Sequence, residues 1–412
     1  MTGRGRILAI MGSGETSPTM VTVHKMLAGR LGARPDAVVL DAPYAFQENA
    51  ADVSAKARTY FANSVGLAVT VLASAAGEDH GARVSTADWV FAGPGSPSYA
   101  LTRWRGAPVG TALRARVIGG TGVTVLASAA AATAGQAAIP VYEIYKAGAE
   151  PAWLDGLDLL TAAGLRVALI PHYDNAEGGT HDTRYCYLGE RRLSEMEASL
   201  PDGTSVLGVD EHTVLILDLT AQTAEVRGRG GVTIRRHGES AVIPAPAVIP
   251  LDQLRAAVSG EAAVPQRDVG PTAGRTDAGP PPLTEVMATA EQRFEQALAA
   301  GDGAGMIMAI LDLEYAIGDW AGDTEEDQGT GQARALLRAL IGRLGDSVTR
   351  GLRDPADKLR PAVDQLLRLR TDLRAAGRYA EADAIRTALT AGGIQIGDDA
   401  AGTSWSVAGP PA

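Results

Sequence analysis

Across residues 1–240 the chain alternates short β-branched runs with segments of helical period, and this alternation limits its folds more than any other feature. A strand that feeds a helix and returns beside its neighbour builds a mostly parallel sheet covered on both faces. Strands are expected at 5–11 (GRILAIM), 36–41, 66–72, 88–92, 122–127 and 165–171. The stretch 206–236 differs: three β runs separated by Asp and Gly turns predict an antiparallel closing meander. The expected fold class is therefore α/β, a mostly parallel doubly wound sheet with an antiparallel edge meander.

The remaining residues change character twice. Residues 241–282 are rich in Ala, Pro and Gly and end in TAGRTDAGPPP, which reads as a linker. From Leu283 onward Ala, Leu, Glu and Arg dominate, and Met306, Ile310, Leu313, Ile317 and Trp320 recur at helical spacing. Helices are expected near 284–300, 304–320, 331–350 and 359–376, making a small all-α bundle over 283–350. A tail module, 351–412, ends in a short helix and then a small hairpin or extended tail. A length of 412 residues is enough for about two to three domains of this kind.

Composition narrows the function classes. No window approaches about 18 consecutive apolar residues, and no signal-peptide pattern opens the sequence, so neither a membrane span nor secretion is expected. The single Cys, Cys186, can form neither an internal disulfide nor a thiolate cluster, which makes the cytoplasm the expected setting. The net charge of −11 disfavours nonspecific nucleic-acid binding. It is unevenly spread: residues 350–386 hold nine Lys/Arg against six Asp/Glu, a local excess of three positive charges.

The chemistry concentrates where strands end. In GVTVLASAAAATAG (122–135) an apolar strand runs into Ser128 and then an Ala-rich helix, the context of a nucleophile elbow or of an ordinary N-cap. FAGPGSPSYAL (91–101) follows a strand with a Gly-x-Gly turn. Such a turn can present N–H groups to an anion, or simply lead into a helix capped by Ser96 with Pro97 first. His172 lies just past the apolar strand RVALIP, where open α/β sheets collect functional groups, although a histidine there is commonly structural. Arg184, Tyr185, Arg191 and Arg192 follow and could bind a carboxylate or phosphate, or be solvated helix-face charges. His172, Asp174, Glu177, His181 and Asp182 crowd together but match no standard metal spacing, so no metal is expected. The glycines at 12, 14, 93 and 95 form neither G-x-G-x-x-G nor a Walker loop, and no cofactor is expected.

Together the opening Gly12-Ser13-Gly14-Glu15, the FxGxG turn, the Ser-Ala elbow, the Pro-His strand end and the VDEHT…VRGRGGV meander resemble the peptidase E and cyanophycinase-like family. That family has a class I glutamine-amidotransferase-like fold, and the resemblance covers residues 5–240. It implies a serine hydrolase in which Ser128 is the nucleophile, His172 the general base and Glu143 the orienting acid. The backbone N–H groups of Gly95 and Ala129 would then form the oxyanion hole. The sequence departs from the family's G-x-S-A-G-A elbow by placing Leu126 and Ala130 at the two glycine positions. A positive φ at either would cost on the order of 1 kcal/mol. A glutamine amidotransferase proper would need Cys at the elbow, and Cys186 lies elsewhere.

The tail 366–407 resembles the end of cysteinyl-tRNA synthetases, matching at Arg370, Arg374, Tyr379, Ala382, Asp383, Ile385, Arg386, Leu389, Gly393, Ile394, Ile396, Asp398, Gly402, Thr403 and Trp405. The catalytic motifs of a synthetase are missing. Arg370, Arg374 and Arg378, spaced by four, form one helical stripe suited to phosphates, and Trp405 could stack on an unpaired base. The other reading is a bundle whose arginines pair with Asp372, Glu381 and Asp383 and whose Trp405 closes a small core. These features lead to a serine hydrolase or acyl-transfer enzyme cutting an ester or amide, with an aminoacyl-tRNA as candidate substrate. One alternative is a small-peptide or isopeptide peptidase whose tail serves assembly. Another is a catalytically degenerate tRNA-binding or scaffold protein. A membrane partner is not expected, and the oligomeric state stays open, a homodimer among the options.

Overall fold

The structure is a computed structural model that describes residues 5–74, 80–178, 181–263, 280–324, 329–351, 355–399 and 402–407. It divides into two compact units, residues 1–288 with 314–333, and residues 289–313 with 334–412.

The first unit is α/β and contains two mixed sheets. Its strands in chain order are β1 (Arg6–Met11), β2 (Ala37–Leu40), β3 (Thr70–Leu72), β4 (Trp89–Ala92), β5 (Gly122–Ala127), β6 (Ala137–Ala138) and β7 (Leu154–Asp155). There follow β8 (Val167–Ile170), β9 (Ser205–Val209), β10 (Thr213–Asp218), β11 (Thr223–Gly228), β12 (Gly231–Arg236), β13 (Glu239–Pro244) and β14 (Ala247–Pro250). The larger sheet runs β14-β11-β10-β1-β5-β4-β2-β3, parallel from β1 through β3 and antiparallel from β10 outward. Alternation explains its burial on both faces. Leu8 and Ile10 of β1 enter one apolar cluster with Val90 and Ala92 of β4. Ile7, Ala9 and Met11 enter the other with Trp89 and Phe91.

The sequence reading of one sheet needs correction at β8. That strand pairs in parallel with β6 and β9 in a second sheet, of order β13-β12-β9-β8-β6-β7. The meander divides as well, since β9 and β12 stay in the second sheet while β10 and β11 belong to the first. The segment Asp210–His212 therefore passes from one sheet to the other. Gly12, just past β1, makes this crossing possible, because a Cβ there would overlap the carbonyls of Val209 and Asp210.

Residues 241–259, read from composition as the start of a linker, instead form most of β13, all of β14 and the helix Leu251–Ser259. Leu251, Leu254 and Val258 are buried in the core, so apolar spacing prevails over the prolines, which sit on outer strands. Residues 264–279 of that predicted linker lie outside the described residues.

In the second unit the helices Pro355–Ala375 and Tyr379–Ala391 are followed by an antiparallel hairpin, β15 (Ile394–Asp399) and β16 (Gly402–Val407). Val363, Leu367, Leu389 and Ile394 form its small core, with Trp405 packed against it.

Candidate active site

β5 ends at Ala127, in extended conformation (φ −129°, ψ 152°), and the chain turns at once into the helix Ser128–Ala132. The turn is made by Ser128 itself, whose φ is 46°. Neither Leu126 nor Ala130 carries a positive φ. Leu126 pairs with Ile10 in a regular parallel ladder, and Ala130 is helical and donates its N–H to the Gly93 carbonyl at 3.2 Å. The two lost glycines thus impose no left-handed strain, and the bond from Ala130 ties the elbow to the Gly93-Pro94-Gly95 turn.

That turn is equally constrained. Gly95 has φ 133°, and a Cβ there would overlap the Pro43 carbonyl, so the residue must be glycine. Ser96 does cap the helix Pro97–Trp104, accepting the Tyr99 N–H at 3.2 Å. The capping role is thus the one this segment shows, and Gly95 in addition lines the cavity that holds Ser128.

His172 follows β8 with φ 48°. Its N–H donates to the Gly12 carbonyl at 3.3 Å, and its own carbonyl accepts the Cys186 N–H at 3.1 Å. Fixed in this way, the ring sets Nε2 2.9 Å from Ser128 Oγ and Nδ1 2.9 Å from Glu211 Oε1. A carboxylate can only accept, so the proton on Nδ1 points to Glu211 and Nε2 offers its lone pair to the serine hydroxyl. Burial pushes the Glu211 carboxyl up, but the hydrogen bonds from His172 and Asn175 outweigh it and hold the group below its ordinary value. Asn175 Nδ2 donates to Glu211 Oε1 at 3.1 Å, and Asp174 Oδ1 accepts the Glu211 N–H at 2.7 Å.

The orienting acid expected from sequence is corrected by this geometry, because Glu211 and not Glu143 meets His172. Glu143 lies on the short helix Val141–Tyr145 and lines the same cavity. The signal that could have found Glu211 was in the VDEHT segment, but it is legible only once Asp210–His212 is known to cross between sheets.

Ser128, His172, Glu211, Gly95 and Ala129 open onto a cavity of about 1080 Å³. Its walls carry several aromatic residues that sequence reasoning did not assign, among them Tyr44, Phe46, Tyr99, Tyr142, Tyr145 and Tyr187. Arg184 and Arg191, expected to bind substrate, are not among its lining residues. Arg184 clasps Asp182 through Nε and Nη2 at 2.9 and 2.8 Å, and Arg191 pairs with Glu195 one helical turn on at 2.8 Å. Short sequence distance to an acid decided both. Among the described residues no group of three or more His, Cys, Asp or Glu side chains is placed to hold a metal ion.

The expected RNA stripe is also redistributed. Arg370 is buried, 2% exposed, and both of its terminal nitrogens bond Asp398, at 3.0 and 2.6 Å. Arg378 pairs with Glu381 at 3.0 Å, and Trp405 donates Nε1–H to Asp364 at 3.0 Å. Arg370 and Trp405 thus close the small core, whereas Arg378 keeps its side chain exposed beside Glu381. Arg374 is exposed.

No protein-family model matches the chain. It is 41% identical over 76 residues to a cysteine–tRNA ligase of Dehalococcoides mccartyi, covering 18% of this chain and 17% of the ligase. With a cysteine–tRNA ligase of Streptomyces griseus the identity is 31% over 135 residues, covering 31% of this chain and 28% of the ligase. The chain thus spans less than a third of the length of these relatives. Among solved structures, a peptidase from an acI-B1 Actinobacterium aligns with a TM-score of 0.49 at 18% identity, over 60% of this chain and 98% of that one. A protein assigned as peptidase E from Listeria monocytogenes EGD-e aligns with a TM-score of 0.35 at 13% identity, over 58% and 98%.

Proposed function

We propose that this protein is a serine hydrolase that cleaves an ester or amide bond through Ser128, His172 and Glu211. The observation that carries the reading is the unbroken hydrogen-bond chain from Ser128 Oγ through both ring nitrogens of His172 to Glu211. The positive φ at Ser128, a conformation that costs energy and persists where the surroundings enforce it, supports the same reading. In the proposed reaction the Ser128 hydroxyl gives its proton to His172 Nε2 while Oγ adds to the substrate carbonyl carbon. The oxygen turned anionic accepts hydrogen bonds from the Gly95 and Ala129 N–H groups. Collapse expels the leaving group, which takes the proton from His172, and water then repeats the sequence to free the acid and restore Ser128. Glu211 keeps the ring in its productive tautomer and stabilises the imidazolium. Replacing Glu211 by Gln is expected to lower kcat by about 10³- to 10⁴-fold with little change in KM. A loss below tenfold in steady-state ester hydrolysis would remove Glu211 from this role.

The local similarity to cysteine–tRNA ligases supports a narrower proposal, that the acyl group is carried on a tRNA held by the C-terminal region. Salt-sensitive retention of tRNA by the full chain, weakened by Arg374→Ala, is the expected result. No retention at low salt would turn the reading to small peptides, with the helical region serving assembly.

A further inference from the structure

The cavity wall carries three carboxylates, Glu143, Glu177 and Glu211, against one ammonium, Lys146. Two of the carboxylates are committed: Glu211 to His172 and Asn175, and Glu177 to the Tyr187 hydroxyl at 2.7 Å. Lys146 sits over the Tyr142 ring, 5.0 Å from its centroid. Glu143 differs from all of these. Among the described residues its carboxylate has no ion pair or hydrogen-bond partner, and Oε2 is shielded from solvent with nothing to accept from. A carboxylate on the cavity wall with no donor of its own offers a charge-assisted contact to a cationic donor that enters the cavity. The aromatic faces around it attract the same kind of group, as Tyr142 already does with Lys146.

We propose that Glu143 selects substrates bearing an organic cation, an ammonium or guanidinium, and that the cavity rejects anionic ones. The inference rests on the serine-hydrolase reading for the bond that is cut, but the selection itself is a binding property. It turns the surplus of wall carboxylates into specificity, because an anionic group would meet uncompensated like charge.

The test uses the full chain and 4-nitrophenyl esters of three acyl groups: β-alanyl (cationic), butanoyl (neutral) and succinyl (anionic). The wild type is expected to favour the β-alanyl ester over the butanoyl ester by roughly tenfold or more in kcat/KM, as for a charge-assisted contact. Glu143→Gln erases that preference, and Glu143→Lys moves it toward succinyl. Calorimetric titration with agmatine gives a readout independent of turnover: heat of binding with the wild type, none with Glu143→Gln. A preference for succinyl in the wild type, or cation preference and agmatine binding that survive Glu143→Gln, would overturn the proposal. If the wild type turns over none of the esters, the serine-hydrolase reading fails, and the agmatine titration still decides the role of Glu143.

Discussion

Ser128 bears the whole of the elbow's backbone strain, and the consequences for substitution are specific. Because Ala130 is helical, buried and of ordinary φ, Ala130→Gly frees no conformation the chain needs. It is expected to destabilise the protein by about 1 kcal/mol with no gain in activity, measured by denaturant unfolding beside ester turnover. A gain of tenfold or more in kcat/KM would show that the alanine does hold the serine out of line. The elbow serine and the strand-end histidine were legible in sequence because each follows an apolar run at a fixed position. The acid was not, since Glu211 follows His172 by 39 residues and reaches it only through tertiary pairing. Arg184 and Arg191 misled for the opposite reason, as their partners lie two and four residues away.

At the scale of elements, the passage Asp210–His212 between the two sheets sets Glu211 against His172 and concentrates charge. Burial and the neighbouring Asp174 push the Asp210 carboxyl up to about 7, although it accepts the Gly231 N–H at 2.7 Å. A carboxyl raised in the fold binds its proton more tightly folded than unfolded. Its contribution to stability is therefore full below the unfolded value near 3.8 and is lost as pH rises through about 7. Asp210→Asn keeps an acceptor for Gly231 and removes the titration. The variant's melting temperature should exceed the wild type's at pH 8 and converge with it toward pH 4. A wild-type advantage that grows from pH 4 to pH 8 would contradict the assignment. Period-two patterning made most strands readable, but not their partition into two sheets, because β8 and β5 carry the same apolar signature and only register separates them.

At the scale of the molecule, the acidic total conceals a basic C-terminal stretch, but structure changes what those charges do. Arg370 fixes the hairpin to the helix Pro355–Ala375, and Arg370→Ala should cost about 1–3 kcal/mol in thermal or denaturant unfolding, a loss limited because the half-exposed Asp398 regains water. Loss of tRNA retention without loss of stability would return Arg370 to a direct contact. The pairing of Arg370 with Asp398 and of Trp405 with Asp364 joins the helix Pro355–Ala375 to the hairpin, and no helical spacing reveals such a contact.

The proposed hydrolase stands or falls on Ser128 being an activated nucleophile. Incubation of the full chain with a fluorophosphonate, followed by mass spectrometry of its peptides, tests it directly. A single adduct on Ser128 is expected, absent from Ser128→Ala and strongly slowed in Glu211→Gln. An unlabelled wild-type chain that is folded, or an adduct on another residue, would contradict it.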